Sequence, residues 1–138
     1  GGVLNRYWDD VSEPRAESLR EDLALAEGLA KEKKSDFYRN IRAACESGWD
    51  FSSRWLGESN LLSSIQTTDI VPIDLNCLMY NLENQLSKFF QLLGNSEQAE
   101  HYQLLASNRK ALINAYLWNE PTGFFVDYNC SGNYCFIC

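Results

Sequence analysis

The sequence is poor in basic residues and in long apolar runs, and each shortage excludes a class of partner. Twelve Lys and Arg residues stand against nineteen Asp and Glu residues, which gives a formal net charge of −7. An acidic chain of this kind is a poor partner for nucleic acid or for an anionic membrane surface. No apolar run approaches the roughly 18 residues that a membrane-spanning helix requires. We therefore expect no nucleic acid and no membrane among its partners.

The sequence has little histidine, and its cysteines do not follow a recognisable disulfide pattern. His101 is the single histidine, so we expect a solvated or structurally bonded imidazole rather than a metal ligand. The cysteines are odd in number and do not resemble an extracellular disulfide framework, which favours a reducing, cytoplasmic compartment over a periplasmic or secreted one. Cys45 and Cys77 fall within helical patterns, where a free buried thiol is expected. Near the end, Cys130, Cys135 and Cys138 lack the fourth ligand of a structural zinc site, so no metal is expected.

Helical periodicity is the main pattern that is present. Apolar residues recur at spacings of three and four, which predicts four helices, at residues 15–33, 36–46, 75–93 and 95–117. In the first of these, lysines gather in the predicted last turn, as the helix dipole prefers. Residues 56–73 are expected to be an extended connection. The predicted class is mainly α, built from helical hairpins.

Four residues mark the predicted helix ends. Gly48 and Gly94 are expected to stop the helices before them, because glycine adopts the left-handed conformation of a helix C-terminus. Asp74 and Asn95 are predicted to cap the two helices that follow them. Near the C-terminus, a Pro-Thr-Gly turn before residues 124–126 predicts a short strand or hairpin arm.

The chemistry is concentrated in residues 46–55, where aromatic rings alternate with charged and hydroxyl side chains. Trp49, Phe51 and Trp55 flank Asp50 in sequence. Aromatic rings cover the apolar faces of a pyranose, and partial desolvation raises the pKa of a carboxylate, as a general acid requires. The alternative on these residues alone is a buried aromatic cluster with Asp50 as a helix cap.

Several ordered motifs together resemble those of the α,α-trehalase family. They lie at residues 2–9, 14–17, 20–22, 38–39, 46–55, 67–76, 116–119 and 123–128. Ordered motifs with compatible spacings are much harder to obtain by chance than one short pattern. The resemblance implies that the helical hairpins form part of an (α/α)6 toroid of the six-hairpin glycosidase type, with a short β-hairpin or strand near the C-terminus.

The resemblance also implies a reaction and a set of residues. The reaction is hydrolysis of α,α-trehalose to two glucose molecules with inversion, without a cofactor, and the expected parent is a monomer. Asp50 matches the family's general acid, and Gly48 matches a position that contacts sugar through its backbone. Arg15 and Glu17 match a sugar-binding pair, with Ala16 between them where the family usually has proline. Without the resemblance, the charged pair would be interpreted as solvated first-turn charges of a helix.

An inverting glycosidase needs a second carboxylate to activate water, and no residue here matches the family's general base. We therefore expect an internal fragment that is inactive in isolation, with residues 1–128 a partial catalytic domain and residues 129–138 a divergent cysteine-containing tail. Two alternatives stay open. One is a non-catalytic helical sugar-binding or interaction module that reuses the scaffold, and the other is a related toroid glycosidase with a different substrate.

Overall fold

The computed structural model describes residues 3–131, which divide into two compact units. Residues 3–6 and 71–131 form one unit, and residues 7–70 form the other. The described residues hold four α-helices, several short 3-10 turns, one π-helical turn and four two-residue strands. The predicted mainly α class is therefore confirmed. Helical hairpins and a short β-hairpin are the elements expected of part of an (α/α)6 toroid.

In the 7–70 unit, α1 (Leu19–Ala26) and α2 (Lys31–Glu46) are separated by a turn that contains Gly28. The prediction of one helix over residues 15–33 is wrong, because glycine is unfavourable inside a helix and the chain turns there. The lysines assigned to the end of that helix lie at the start of α2 instead. The 3-10 turns of this unit are Ala16–Ser18, Ser53–Trp55, Leu62–Ser64 and Thr67–Asp69.

The core of this unit is built around Trp55, which is fully buried. Its ring meets the Tyr7 ring edge-on, with 6.1 Å between the centroids. The buried side chains packed in this cluster come from both helices and from the loops, namely Ala26, Phe37, Tyr38, Ile41, Ala44, Ile65 and Ile70. One buried polar side chain, Asn40 of α2, accepts hydrogen bonds from the backbone N–H (2.7 Å) and the hydroxyl (3.1 Å) of Thr68. The connection after Trp55 is therefore fixed to α2.

In the other unit, α3 (Ile73–Leu92) and α4 (Ser96–Leu112) pack as a hairpin. Gly94 ends α3 with φ +73°, and the Asn95 side chain accepts from the N–H of Gln98 (3.1 Å), as predicted. The prediction for Asp74 is wrong, because α3 begins at Ile73, two residues before the predicted start, and Asp74 lies in its first turn. None of the helices within residues 3–131 has the length and apolar character needed to span a membrane.

The chain leaves α4 through a π-helical turn, Ile113–Leu117, and enters a small hairpin. Strand β2 (Trp118–Asn119) pairs antiparallel with β3 (Phe124–Phe125), and Trp118 lies opposite Phe125. The strand predicted at residues 124–126 is thus one arm of this hairpin. The remaining strands are β1 (Ile70–Val71) and β4 (Tyr128–Asn129).

A buried polar network joins the two helices of this hairpin to the start of the chain. Arg109 of α4 makes a bidentate ion pair with Glu83 of α3, with a shortest N–O distance of 2.8 Å. The same guanidinium donates to the side-chain oxygens of Asn5 (2.8 Å) and Asn76 (3.0 Å). Asn76 also accepts from the Asn5 backbone N–H and donates to the Asn5 carbonyl, both at 2.8 Å. Two residues of the family-like motifs therefore have a structural role here.

The predicted apolar stripe of α3 lies largely on its exposed side. Leu78, Leu82 and Phe89 are about half exposed or more, whereas the buried residues of α3 are Asn76, Glu83 and Ser87. Periodicity therefore located the helix correctly, but the polar side of α3 faces the core of this unit. The reason is the buried guanidinium of α4, because a buried charge must be paired and hydrogen-bonded.

Candidate active site

The candidate site is built on the loop that follows α2, which ends at Glu46. Gly48 adopts φ +69°, a conformation that glycine takes without steric cost. Phe51 adopts φ +61°, which is unusual for a bulky side chain. The loop is closed across its ends, because the indole N–H of Trp55 donates to the carbonyl oxygen of Trp49 (2.9 Å).

Asp50, the candidate general acid, is exposed in the middle of this loop. Of the three rings that flank it in sequence, only Trp55 is buried, while Trp49 is 55% and Phe51 37% exposed. Trp55 belongs to the hydrophobic core. The alternative that Asp50 caps a helix is wrong. The residue that caps the next 3-10 turn is Ser52, whose side chain accepts a hydrogen bond from the Arg54 N–H (3.4 Å).

Arg15 lies against the same loop. Its guanidinium carbon is 5.2 Å from the centre of the Phe51 ring, which is within the range of a cation–π contact. Its Nη1 atom donates to the Cys45 sulfur (3.3 Å). The Arg15 side chain is only 12% exposed, so it is not the solvated first-turn charge of the alternative interpretation.

Asp22 of α1 holds Arg15 in this position. Its carboxylate accepts from Arg15 Nε (3.0 Å), Nη2 (2.7 Å) and the backbone N–H (2.9 Å). Burial alone would raise the pKa of the Asp22 carboxyl, but the hydrogen bonds and charge of Arg15 outweigh it and leave the pKa below its ordinary value. The hydrogen bond to Asp22 likewise raises the pKa of Arg15, against the effect of burial. Both groups are therefore charged at neutral pH.

Several of the predicted site residues carry charges that act on the thiol of Cys45. Burial raises the pKa of its thiol, the positive charge of Arg15 opposes this, and the negative charges of Asp50 and Glu17 add to it. These charges therefore lie around one thiol at the end of α2. Ala16 and Glu17 are exposed on the 3-10 turn that follows Arg15. Gly48 lies two residues before Asp50 on the loop.

The aromatic residues at the start of this unit are held by arginines of α2. The guanidinium carbon of Arg39 is 4.7 Å from the centre of the Trp8 ring, and its Nε donates to the Asp9 carbonyl (3.2 Å). Arg42 makes an ion pair with the Asp9 carboxylate (3.1 Å). On the loop after α2, the guanidinium carbon of Arg54 is 5.4 Å from a ring centre of Trp49 and 4.5 Å from a ring centre of Trp55. Arg39 and Arg54 thus contact indole rings, whereas Arg42 pairs with a carboxylate.

Sequence reasoning missed the role of Asp22, which it included as part of the family-like motif at residues 20–22. In a continuous helix from residue 15, Asp22 would lie about two turns beyond Arg15 on the same side. The predicted helix therefore gave little reason to expect a direct contact between the two side chains. The contact arises because Arg15 lies in extended backbone before the 3-10 turn, from which its side chain reaches back to α1.

The expectation of buried, free cysteines is met only in part. Cys45 and Cys77 are free thiols, but Cys77 is exposed, so the expectation of a buried thiol is wrong for that residue. Within residues 3–131, no group of three or more His, Cys, Asp or Glu side chains is placed to hold a metal ion. Cys135 and Cys138 lie outside the described residues.

Comparison with known proteins identifies the family. The sequence model of the Trehalase family matches residues 1–134, so the chain belongs to the trehalase family. It is similar to the periplasmic trehalase of Salmonella paratyphi B, with 46% identity over 133 residues, which cover 96% of this chain and 23% of that protein. The periplasmic trehalase of Citrobacter koseri is 46% identical over 129 residues, covering 94% and 23% respectively. The chain spans about a quarter of the length of these curated relatives.

These relatives contradict the expectation of a cytoplasmic compartment, because they are named periplasmic trehalases. The expectation rested on the lack of a disulfide framework. That inference was weak in physical terms, because a helical protein with a sufficient core does not need disulfides in an oxidising compartment.

Proposed function

We propose that this chain supplies the general acid and part of the sugar-binding surface of an α,α-trehalase, and that trehalose is the substrate. Asp50 protonates the glycosidic oxygen, and Arg15, with Glu17 and the Gly48 backbone, binds the sugar hydroxyls. Residues 1–128 form the catalytic part and residues 129–138 a divergent tail. A periplasmic location follows by analogy with the named relatives.

The observation that carries this proposal is the contact between the Arg15 guanidinium and the Phe51 ring. It brings the family-like motifs at residues 14–17 and 46–55, which lie on different elements, to one place beside Asp50. With Nε and one N–H of Nη2 on Asp22, and one N–H of Nη1 on Cys45, two of the five guanidinium N–H groups remain for sugar hydroxyls.

Exposure of Asp50 favours a second candidate, a sugar-binding module without catalysis. A general acid acts best where water is excluded, and Asp50 is exposed to solvent in this structure. In the catalytic reading, the bound disaccharide and the exposed Trp49 and Phe51 rings would exclude water from Asp50 during the reaction. The two candidates therefore differ in what Asp50 does once sugar is bound.

A chimaera tests the proposal, with this chain replacing the matched quarter of one of the periplasmic trehalases named above. The chimaera is expected to release glucose from trehalose. Asp50→Asn should lower its turnover by about a hundredfold or more, the usual scale for losing a positioned acid. Loss on α-glucosyl fluoride should be much smaller, because fluoride leaves without protonation.

Glu58→Gln, which removes another carboxylate eight residues away, is the matched control and should leave both rates unchanged. Equal losses on both substrates for Asp50→Asn would contradict the acid role. An inactive Asp50→Asn chimaera that has also lost trehalose binding would assign Asp50 to sugar recognition.

A further inference from the structure

Arg15 of the candidate site is held by a set of short hydrogen bonds. Its guanidinium and its own backbone N–H share one carboxylate, that of Asp22, through three hydrogen bonds of 2.7–3.0 Å. The Asp22 side chain is 1% exposed and that of Arg15 12% exposed. A charge-assisted, bidentate pair of this kind sets the orientation of the guanidinium plane as well as its position.

The orientation that Asp22 imposes has a chemical consequence. Nε and Nη2 bind the carboxylate, so the opposite edge of the guanidinium, which carries Nη1, points towards Cys45 (3.3 Å) at the end of α2. The guanidinium also lies 5.2 Å from the Phe51 ring, next to Asp50. Rotation about the Arg15 side chain would break three hydrogen bonds at once.

We propose that Asp22 is a positioning residue for sugar recognition, which holds the Arg15 guanidinium with its free N–H groups directed at the hydroxyls of a neutral disaccharide. Asp22 itself does not touch the sugar, because it is buried behind Arg15. This inference rests on the proposed function, since it assigns Arg15 to sugar binding.

The balance of charge supports a neutral ligand. A free guanidinium would attract anions such as phosphate, but Asp22 neutralises it at close range. The paired guanidinium keeps directional donors while its net charge is cancelled, and a sugar presents hydroxyls that need donors without presenting charge. Removing the carboxylate should therefore change selectivity as well as affinity.

The test uses the whole 138-residue chain labelled with nitrogen-15, with trehalose and inorganic phosphate as the two probes. In the unmodified chain the Arg15 Nε–H resonance should be resolved and slow to exchange with water. In Asp22→Asn that protection should be lost, trehalose affinity should fall at least about tenfold, and phosphate affinity should rise. Asp9→Asn, which breaks the ion pair with Arg42 in the same unit, is the control and should change none of the three.

A second step separates positioning from general loss of stability. In an Arg15→Lys background, which keeps the charge but removes the planar fork, Asp22→Asn should cause no further loss of trehalose affinity. If the two substitutions lower affinity independently, the positioning role is contradicted.

The two proposals fail in different ways. If the unmodified chain binds trehalose and Asp22→Asn binds it equally well, the positioning role is overturned and the proposed function stands. If the unmodified chain has a protected Arg15 Nε–H but binds no trehalose, sugar binding by this chain fails, and Asp22 is reduced to an ion-pair partner. An unprotected Arg15 Nε–H in the unmodified chain overturns the positioning role directly.

Discussion

The indole N–H of Trp55 donates to the backbone carbonyl of Trp49 across 2.9 Å, and this bond closes the loop that carries Asp50. Trp55 is fully buried whereas Trp49 is 55% exposed. One tryptophan therefore anchors the loop in the core and the other presents a ring to solvent. Two residues that look equivalent in sequence have opposite roles.

Trp55→Phe should destabilise the chain by about 1–3 kcal/mol, because it removes the donor and leaves the Trp49 carbonyl without its partner. The smaller ring also leaves space in the core. Chemical denaturation followed by circular dichroism measures the loss. Trp49→Phe keeps the backbone carbonyl and a ring beside Arg54, so its cost should stay within about 0.5 kcal/mol. Equal costs for the two variants would contradict the anchoring role.

Acid should weaken the fold through Asp22. The pKa of Asp22 in the folded chain lies below the ordinary 3.8. Its carboxylate therefore stabilises the fold fully above pH 3.8, and this stabilisation is lost as pH falls through the lower pKa of the folded chain. Asp22→Asn should therefore be less stable than the unmodified chain at pH 6, and the difference should shrink as pH falls below 3.8. Urea melts across that pH range measure the difference. A difference that stays constant with pH would contradict the ion-pair explanation.

The buried pair Glu83–Arg109 should be costly to break on one side. Glu83→Gln leaves the Arg109 guanidinium without its counter-charge, and breaking a buried pair in this way costs about 3–5 kcal/mol. The comparison is Asp9→Asn, which breaks the more exposed pair with Arg42 and should cost about 0–1 kcal/mol. Thermal melts of the two variants give the ranking, and a reversed order would contradict it.

Restoring the proline that is usual in the family should stabilise the loop beside the site. Ala16 is the first residue of its 3-10 turn, and Arg15 before it has ψ 137°, the extended conformation that a following proline requires. Ala16→Pro should therefore raise stability by about 0.4–1 kcal/mol by restricting the unfolded chain. Ala24→Pro, inside α1, should lower it by about 3 kcal/mol or more. A destabilising Ala16→Pro would show that the turn needs the residue 16 N–H.

Much of the helical framework could be predicted, because periodicity, Gly94 and the Asn95 cap are local signals. The break between α1 and α2 was missed because Gly28 stands inside a pattern that continues on both sides. Periodicity also could not predict which side of α3 is buried. Its polar residues face inward because Arg109, 26 residues beyond Glu83, supplies a buried charge that only a long-range contact reveals.

The candidate site was located by family resemblance rather than by local pattern. The residue types around Asp50 suggested sugar chemistry, but the local sequence gives no indication that Trp55 is buried and Trp49 is exposed. The partner of Arg15 could not be predicted, since Asp22 reaches it through the turn between them. The assignments of Asp50, Arg15, Ala16, Glu17 and Gly48 stay predictions until the experiments above are made.

The network around Arg109 has a consequence for the order in which the chain can fold. Asn5 meets its guanidinium partner across a sequence separation of 104 residues, and the whole 7–70 unit lies between Asn5 and the rest of its own unit. A nascent chain grows at about 5–20 residues per second, so Asn5 waits on the order of ten seconds for Arg109. The 7–70 unit has all its residues during that delay. We expect that interior segment to fold first and the network to close last.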